Sequence, residues 1–348
     1  MENLYDKIAD LENIYIAYKK AIKGKKYRDE VLRFSYNLAN NLLNIEFLLK
    51  NKKYYHSQYY EFLVKDSKKR IIRAACLKDR IMHHALCNII NGFFERSFIF
   101  DSYACRKEKG AHRAIKRFRA FLKKIKTINE LKNKNNVFCL KCDIVKYFDS
   151  VDKEILIKLI KRKIQDLDVL NLIMVVLNSY GPGLPIGNLT SQLFANIYLH
   201  ELDFYVKNTL KCKYYIRYMD DFVLLDVEKQ KLWNCYGLIK DFLKQELKLK
   251  IDDNKTKLTP IRKGVIFLGF KIYPNKVLLR EDTIKRFKKR LYKKTKERDD
   301  NIVSFIALKF KNWASYYTQA DSNFFIKRFY CKVVEKYVID IWEFANRF

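Results

Sequence analysis

Lys213-Tyr214-Tyr215-Ile216-Arg217-Tyr218 and Phe222-Val223-Leu224-Leu225 are short aromatic and β-branched runs on either side of Met219-Asp220-Asp221. Runs of this kind around a two- to three-residue break predict a β-hairpin with two carboxylates at its turn. Adjacent carboxylates repel, so the turn is costly unless a cation offsets the charge. A third carboxylate, Asp143, closes another apolar run, Val137 to Cys142, which reads as a strand. An Asp-Asp turn alone is common. With a third hard oxygen donor on a neighbouring strand, it becomes a candidate for divalent metal. Mg²⁺ takes few protein ligands and fills its shell with water and substrate phosphates. Two such ions activate a hydroxyl and stabilise a leaving pyrophosphate.

Outward from this hairpin, glycine and proline are scarce, with nine and four in the chain. Yet Gly181-Pro182-Gly183-Leu184-Pro185-Ile186-Gly187 holds three of the glycines and two of the prolines. The backbone must turn sharply or approach a ligand there, and the loop is either structural or functional. A helix is expected directly after it, from Leu189 to Leu202, whose first amides suit a phosphate or a base edge. A strand pair, Val265 to Leu268 and Phe270 to Tyr273, flanks Gly269. In the first fifty residues, Tyr5, Ile8, Leu11, Tyr15, Tyr18 and Ile22 form one helical stripe. Val31, Phe34, Leu38, Leu42, Ile45 and Leu49 form a second. Residues 54–75 look extended. A further helix carries Ala114, Ile115, Phe118, Phe121, Leu122 and Ile125 on one face and Arg113, Lys116, Arg117, Arg119, Lys123 and Lys124 on the other.

The 348 residues hold 71 Lys plus Arg against 39 Asp plus Glu, a net charge of +32. Hydrophobic residues at 49% exclude a disordered basic tail. A folded protein with this excess points to nucleic acid ahead of a membrane surface or an acidic protein. The eight cysteines are scattered, and Cys139-x-x-Cys142 lacks the second pair or histidines of a zinc site, so buried thiols are expected. Met1 to Lys7 has no apolar signal core, and no run nears the ~18 apolar residues of a membrane span. A cytoplasmic location and no membrane partner are expected.

Tyr218-Met219-Asp220-Asp221 resembles the Y-x-D-D motif of reverse transcriptases, and Asp143-Ile144-Val145-Lys146-Tyr147-Phe148 their first catalytic strand. The similarity continues in order through Leu184-Pro185-Ile186-Gly187-Asn188-Leu189-Thr190-Ser191-Gln192, Lys255-Thr256-Lys257-Leu258 and Phe267-Leu268-Gly269. It covers about residues 54–275. Within that family the chain looks most like the enzymes of diversity-generating retroelements, and more distantly like group II intron and retron types. Ile186 and Gln192 are the telling positions, where intron and retroviral enzymes usually carry Gln and Pro. Lys78 to Leu86 and Asp101 to Lys107 also resemble that subgroup. Arg70 to Cys76 departs from the pattern in lacking a proline.

The resemblance implies an α+β right-hand polymerase fold. Its segments would be N-terminal helices and fingers over 1–136, a palm over 137–275 with a helical fingers insertion near 155–180, and a helical thumb over 276–348. The implied activity is RNA-directed DNA synthesis with two Mg²⁺ ions, or Mn²⁺ in their place. Synthesis would be error-prone at template adenines. The implied metal ligands are Asp143, Asp220, Asp221 and the carbonyl of Ile144, with Lys255 as proton donor to the leaving pyrophosphate. Lys68, Arg70 and Arg73 would clamp the triphosphate. Phe148 would act as a gate against a ribose 2′-hydroxyl, or else is a core ring. Ile186 and Gln192 complete the nucleotide site, and Phe267, Leu268 and Gly269 would hold the primer end. The template–primer duplex would lie on Arg113, Lys116 and Arg117 and on the basic helix from Ile284, with Lys285, Lys288 and Lys289. Trp313, Tyr316 and Tyr317 are expected in the thumb core. Partners implied are template RNA, RNA–DNA duplex, dNTPs and a small basic helical-bundle accessory oligomer. The alternatives are another prokaryotic reverse transcriptase, such as a phage-defence enzyme that extends DNA without a template, an inactive RNA-binding scaffold and a metal nuclease.

Overall fold

The computed structural model of the chain describes residues 3–65, 69–130 and 136–294. Lys68, Trp313, Tyr316 and Tyr317 lie outside these residues. The first helical stripe is interrupted. Asp10 adopts an extended conformation and its carboxylate accepts the Asn13 N–H at 3.1 Å, so α1 (Leu4–Ala9) ends and α2 (Leu11–Ala21) begins there. The second stripe is likewise divided at Asn37 into α3 (Asp29–Tyr36) and α4 (Leu38–Lys50). The break in the first stripe turns the buried face of α2 to Ile14, Ala17 and Tyr18 and leaves Leu11 and Tyr15 exposed, whereas α3 and α4 bury Val31, Leu42, Ile45 and Leu49 of the second stripe as expected.

Next come an antiparallel hairpin of β1 (Tyr60–Lys65) and β2 (Lys69–Ala74), then α5 (Leu77–Glu95) and α6 (Ala111–Glu130). No one-sided stripe marks α5, because it is buried nearly all round: Leu77, Ile81, Met82, Ala85, Leu86 and Ile90 are core, and it packs on α1, α2 and α3. Strand β3 (Phe138–Asp143) leads into the short α7 (Tyr147–Ser150), then α8 (Lys153–Lys161), α9 (Leu167–Asn178) and α10 (Leu189–Phe204). Helix α10 also packs on α5 and α8. The hairpin expected around Met219-Asp220-Asp221 is β4 (Tyr215–Tyr218) and β5 (Asp221–Asp226), followed by α11 (Lys229–Leu247). Then come β6 (Lys257–Pro260), β7 (Val265–Phe267), β8 (Phe270–Ile272), β9 (Val277–Leu279) and α12 (Glu281–Lys294). Strand β9, beyond Pro274, adds a third member to the expected pair.

Strands β3 to β6 form a sheet in the order β4-β5-β3-β6, with β3 and β6 antiparallel and Cys139 opposite Thr259. Mixed helix and antiparallel sheet is the expected fold class. By compactness the chain gathers into two units. The first comprises Met1–Glu108, Cys142–Phe222 and Asn234–Thr256. The second comprises the described parts of Lys109–Lys141, Val223–Trp233 and the chain from Lys257 on. The Cys139 and Cys142 side chains are buried.

Candidate active site

The site grows from the end of β3. Past Asp143 the chain is clasped by the segment after α11: Ile144 bridges Ile251, and the Val145 N–H donates to the Lys250 carbonyl at 2.9 Å. The Asp252 N–H donates to the Asp143 carbonyl at 2.8 Å. A turn after Asp252 then carries Lys255 back, so that its Nζ lies 2.5 Å from Asp143 Oδ1 and 2.7 Å from Asp252 Oδ2. Burial by itself would lower the Lys255 pKa. The hydrogen bonds and charges of Asp143 and Asp252 outweigh it and hold the ammonium above its ordinary value. The same bond from Lys255 holds Asp252 below the usual carboxylate range.

The Y-M-D-D turn is built on a strained and buttressed backbone. Met219 sits at φ +56°, in the left-handed region that a side chain rarely adopts. Its carbonyl accepts a hydrogen bond from Arg217 Nη1 at 3.2 Å. Arg217 is 0% exposed and forks onto Asp203, also 0% exposed, with Nε–Oδ1 at 2.7 Å and Nη2–Oδ2 at 2.6 Å. Its remaining donors reach Asn196 Oδ1 and Ser102 Oγ, both at 3.2 Å, and the Tyr215 hydroxyl adds a bond to Asp203 at 2.9 Å. Burial would lower the Arg217 pKa, but Asp203 more than compensates, and the guanidinium stays charged. The charge of Asp220 reaches the buried Tyr147 hydroxyl. That phenol is held well above its ordinary pKa by burial first, with Tyr198, Asp220 and Asp203 adding to it against the opposing effect of Arg217. The turn leads into β5, which lies beside β3 in the sheet.

Over that junction closes the glycine-proline loop. The Leu184 N–H donates to the Phe148 carbonyl at 2.7 Å, and the Arg73 N–H to the Ile186 carbonyl at 3.1 Å. Gly183, at φ +74°, has no room for a side chain: a Cβ would stand 2.4 Å from the Phe148 carbonyl oxygen. The loop thus joins Arg73 on β2, Phe148 on α7 and Ile186, three of the expected nucleotide residues. Phe148 is half-buried and meets the Tyr147 ring edge-on at 5.7 Å. The Arg73 guanidinium lies 4.9 Å from the Tyr180 ring centroid, with its Nε 2.6 Å from Glu61. Arg70 is on β2 opposite Val64. Gln192, on α10, lines a cavity with Asn88, Glu95 and Arg106.

The other expected residues belong to the second unit. The Phe267 side chain is core, 6.1 Å from the Phe118 ring, whereas Leu268 and Gly269 form the turn of β7 and β8 with φ of +50° and +84°. Arg113 and Lys116 are exposed on α6, and Arg117 lies over the Phe121 ring at 4.5 Å. Lys285 and Lys289 are exposed on α12, which also carries Lys288.

Among the described residues no three His, Cys, Asp or Glu side chains converge into a metal cage. Mg²⁺ does not require one, since water and phosphate complete its shell. Hard carboxylates stand on neighbouring strands, β3 and β5, with a cation, the Lys255 ammonium, already seated on Asp143. This donor set fits a divalent ion. Sequence reasoning missed Arg217, Asp203 and Asp252. The available signal for Arg217 was a lone charge inside an apolar strand, two residues before Met219.

Residues 63–272, more than half of the chain, match the family described as reverse transcriptase (RNA-dependent DNA polymerase). The chain belongs to this family. Protein YkfC of Escherichia coli K12 is 25% identical over 254 residues, covering 60% of this chain and 64% of YkfC. The group II intron-encoded protein LtrA of Lactococcus lactis subsp. cremoris is 25% identical over 296 residues, covering 64% of this chain and 47% of LtrA. The chain therefore spans less than two thirds of either relative's length. Among solved structures, telomerase from Candida albicans, in complex with a TWJ fragment of telomeric RNA, is similar with a TM-score of 0.48 at 10% identity. That match covers 69% of this chain and 51% of the telomerase chain. Among the described residues no helix is long and apolar enough to cross a membrane.

Proposed function

We propose that this chain is an RNA-directed DNA polymerase of the diversity-generating retroelement type, which copies template RNA into cDNA with errors at template adenines. The observation that carries the polymerase reading is the seating of Lys255 on Asp143 beside a buttressed Y-M-D-D turn. Asp143, Asp220, Asp221 and the Ile144 carbonyl would hold two Mg²⁺ ions, with Mn²⁺ as the alternative. When bound, these ions would activate the primer 3′-hydroxyl and stabilise the leaving pyrophosphate. Lys255, released from Asp143, would protonate that pyrophosphate. Arg73, with Lys68 and Arg70, would neutralise the triphosphate, and the Phe148 ring would exclude a 2′-hydroxyl. The fingers would comprise 1–136, the palm 137–275 and the thumb 276–348. Leu268 and Gly269 would support the primer end, and Arg113, Lys116 and Arg117 of α6 with Lys285, Lys288 and Lys289 of α12 the duplex. The setting would be cytoplasmic, with a basic helical-bundle oligomer as accessory partner.

Ile186 supports the retroelement reading. Its side chain offers shape without a polar contact, whereas Gln at this position would penalise poor pairing by about 1–3 kcal/mol. The test is primer extension on a defined RNA with dNTPs, followed by sequencing of the cDNA. Wild type is expected to give template-length product with errors concentrated opposite adenine. Asp220→Asn should abolish the product, and Ile186→Gln should lower the adenine errors several-fold. Product without a template would favour the untemplated alternative, and equal adenine error rates would remove the retroelement reading.

A further inference from the structure

The second unit holds a groove of about 640 Å³ between α6, the ends of β3 and β6, and the Pro274–Asn275 turn. Its floor is apolar, with Leu122 and Ile261 buried, and is closed by the Ile261 N–H donating to the Val137 carbonyl at 2.9 Å. Its rim is cationic. Arg119, Lys123 and Lys126 stand on α6, Arg262 stands opposite them on the turn after β6, and among the described residues no Asp or Glu lines the groove. Arg119, Lys123 and Arg262 are exposed, and among the described residues none of the three has a carboxylate partner.

Such a cluster is self-repelling, and α6 does little to offset it. Seven Lys and Arg run from Arg113 to Lys126, against a single carboxylate at Glu130. The cations at 119, 123 and 126 spread over about 10 Å of helix, a length that spans successive charges of a polymer better than one small anion. Thr127, Asn136 and Asn275 add neutral hydrogen-bonding groups among them, which suit a ribose 2′-hydroxyl more than a carboxylate-bearing protein. Among the described residues no aromatic ring lines the groove to stack on a base, so its contacts favour the backbone.

We infer that this groove binds the phosphodiester backbone of single-stranded RNA without sequence preference. It gives the template RNA of the proposed reaction a hold of its own, and rests on that reading only for the identity of the RNA. The test is fluorescence anisotropy of the full chain with a labelled mixed-sequence RNA of about 20 nucleotides, without divalent metal, across a salt series. The groove variant is Arg119→Glu, Lys123→Glu, Arg262→Glu. Its control is Lys158→Glu, Lys161→Glu, Lys163→Glu, at exposed lysines on and just after α8. The groove variant should bind at least about 10-fold more weakly at about 100 mM salt. Its log–log salt slope should be shallower by about 2, the value for three lost single-strand phosphate contacts. The control should stay within about 2-fold of wild type. Unchanged affinity in the groove variant, an equal loss in the control, or loss of binding to polyglutamate but not to RNA would each overturn the inference. Should the reversed variant unfold, the Gln triple substitution decides, with a smaller loss in the same direction expected and no loss overturning it. A wild type that binds RNA yet makes no cDNA would sink the polymerase reading and leave the groove standing.

Discussion

Replacing Arg217 with Met separates what the buried pair does for stability from what it does for the catalytic turn. Arg217 and Asp203 are both fully buried, and the guanidinium makes two bonds to the carboxylate and one to the Met219 carbonyl. Removing only the arginine leaves Asp203 charged and unpaired in the core, at a cost of about 3–5 kcal/mol. At about 1.4 °C per kcal/mol, from an unfolding entropy of about 2.1 cal/mol/K per residue, the melting temperature should fall by about 4–7 °C. The double substitution Arg217→Met, Asp203→Leu removes both charges, and most of that stability should return. The bond to Met219 does not return with it. Loss of a charged hydrogen bond, worth about 1.5–3 kcal/mol, should leave nucleotide incorporation about 10- to 100-fold slow in the double variant. Urea unfolding and single-turnover primer extension read the two effects separately. A double variant with wild-type incorporation would show that the pair does nothing for the turn. A single variant of wild-type stability would refute the burial argument itself.

Further outcomes are expected elsewhere. Gly183→Ala forces a methyl group against the Phe148 backbone, so the ring must move. The variant should lose stability and incorporate ribonucleotides more readily, as measured by rNTP against dNTP competition. Lys255→Ala removes the cation from Asp143, so half-saturating Mg²⁺ should fall while turnover drops, a split visible in a metal titration at constant ionic strength. His83 is buried with neither ring nitrogen hydrogen-bonded, and burial, with a smaller contribution from His56, pushes its pKa down to about 3. Because that value lies below the unfolded one, the unfolded chain binds the extra proton, and stability is full above about pH 6.5 and falls as pH drops toward 3. From pH 7 to 5 the loss attributable to this residue is about 2 kcal/mol. His83→Leu should flatten that part of the pH profile of urea unfolding.

Much of this protein is written locally. The hairpin at Met219, the strand ending at Asp143, the loop at Gly181–Gly187 and the amphipathic faces of α4 and α6 follow from short-range pattern and turn chemistry, which act within a few residues. The breaks at Asp10 and Asn37 are local too, but a capping carboxylate in a continuous apolar stripe does not announce itself. Helix α5 escapes for the opposite reason. Buried on nearly every side, it has no polar face to reveal its period.

Residue identity and local pattern alone single out the candidate side chains: three aspartates, a lysine, a basic excess and a loop of glycines where backbones must meet. Tertiary structure alone decided who holds whom. Lys255 reaches Asp143 across 112 positions of chain, Arg217 closes on Asp203 from another element, and Gly183 fits only because the Phe148 backbone lies against it. A sequence pattern reports each residue's preference for water, helix or strand. Charge pairing and close packing depend on distances that exist only once the chain has folded.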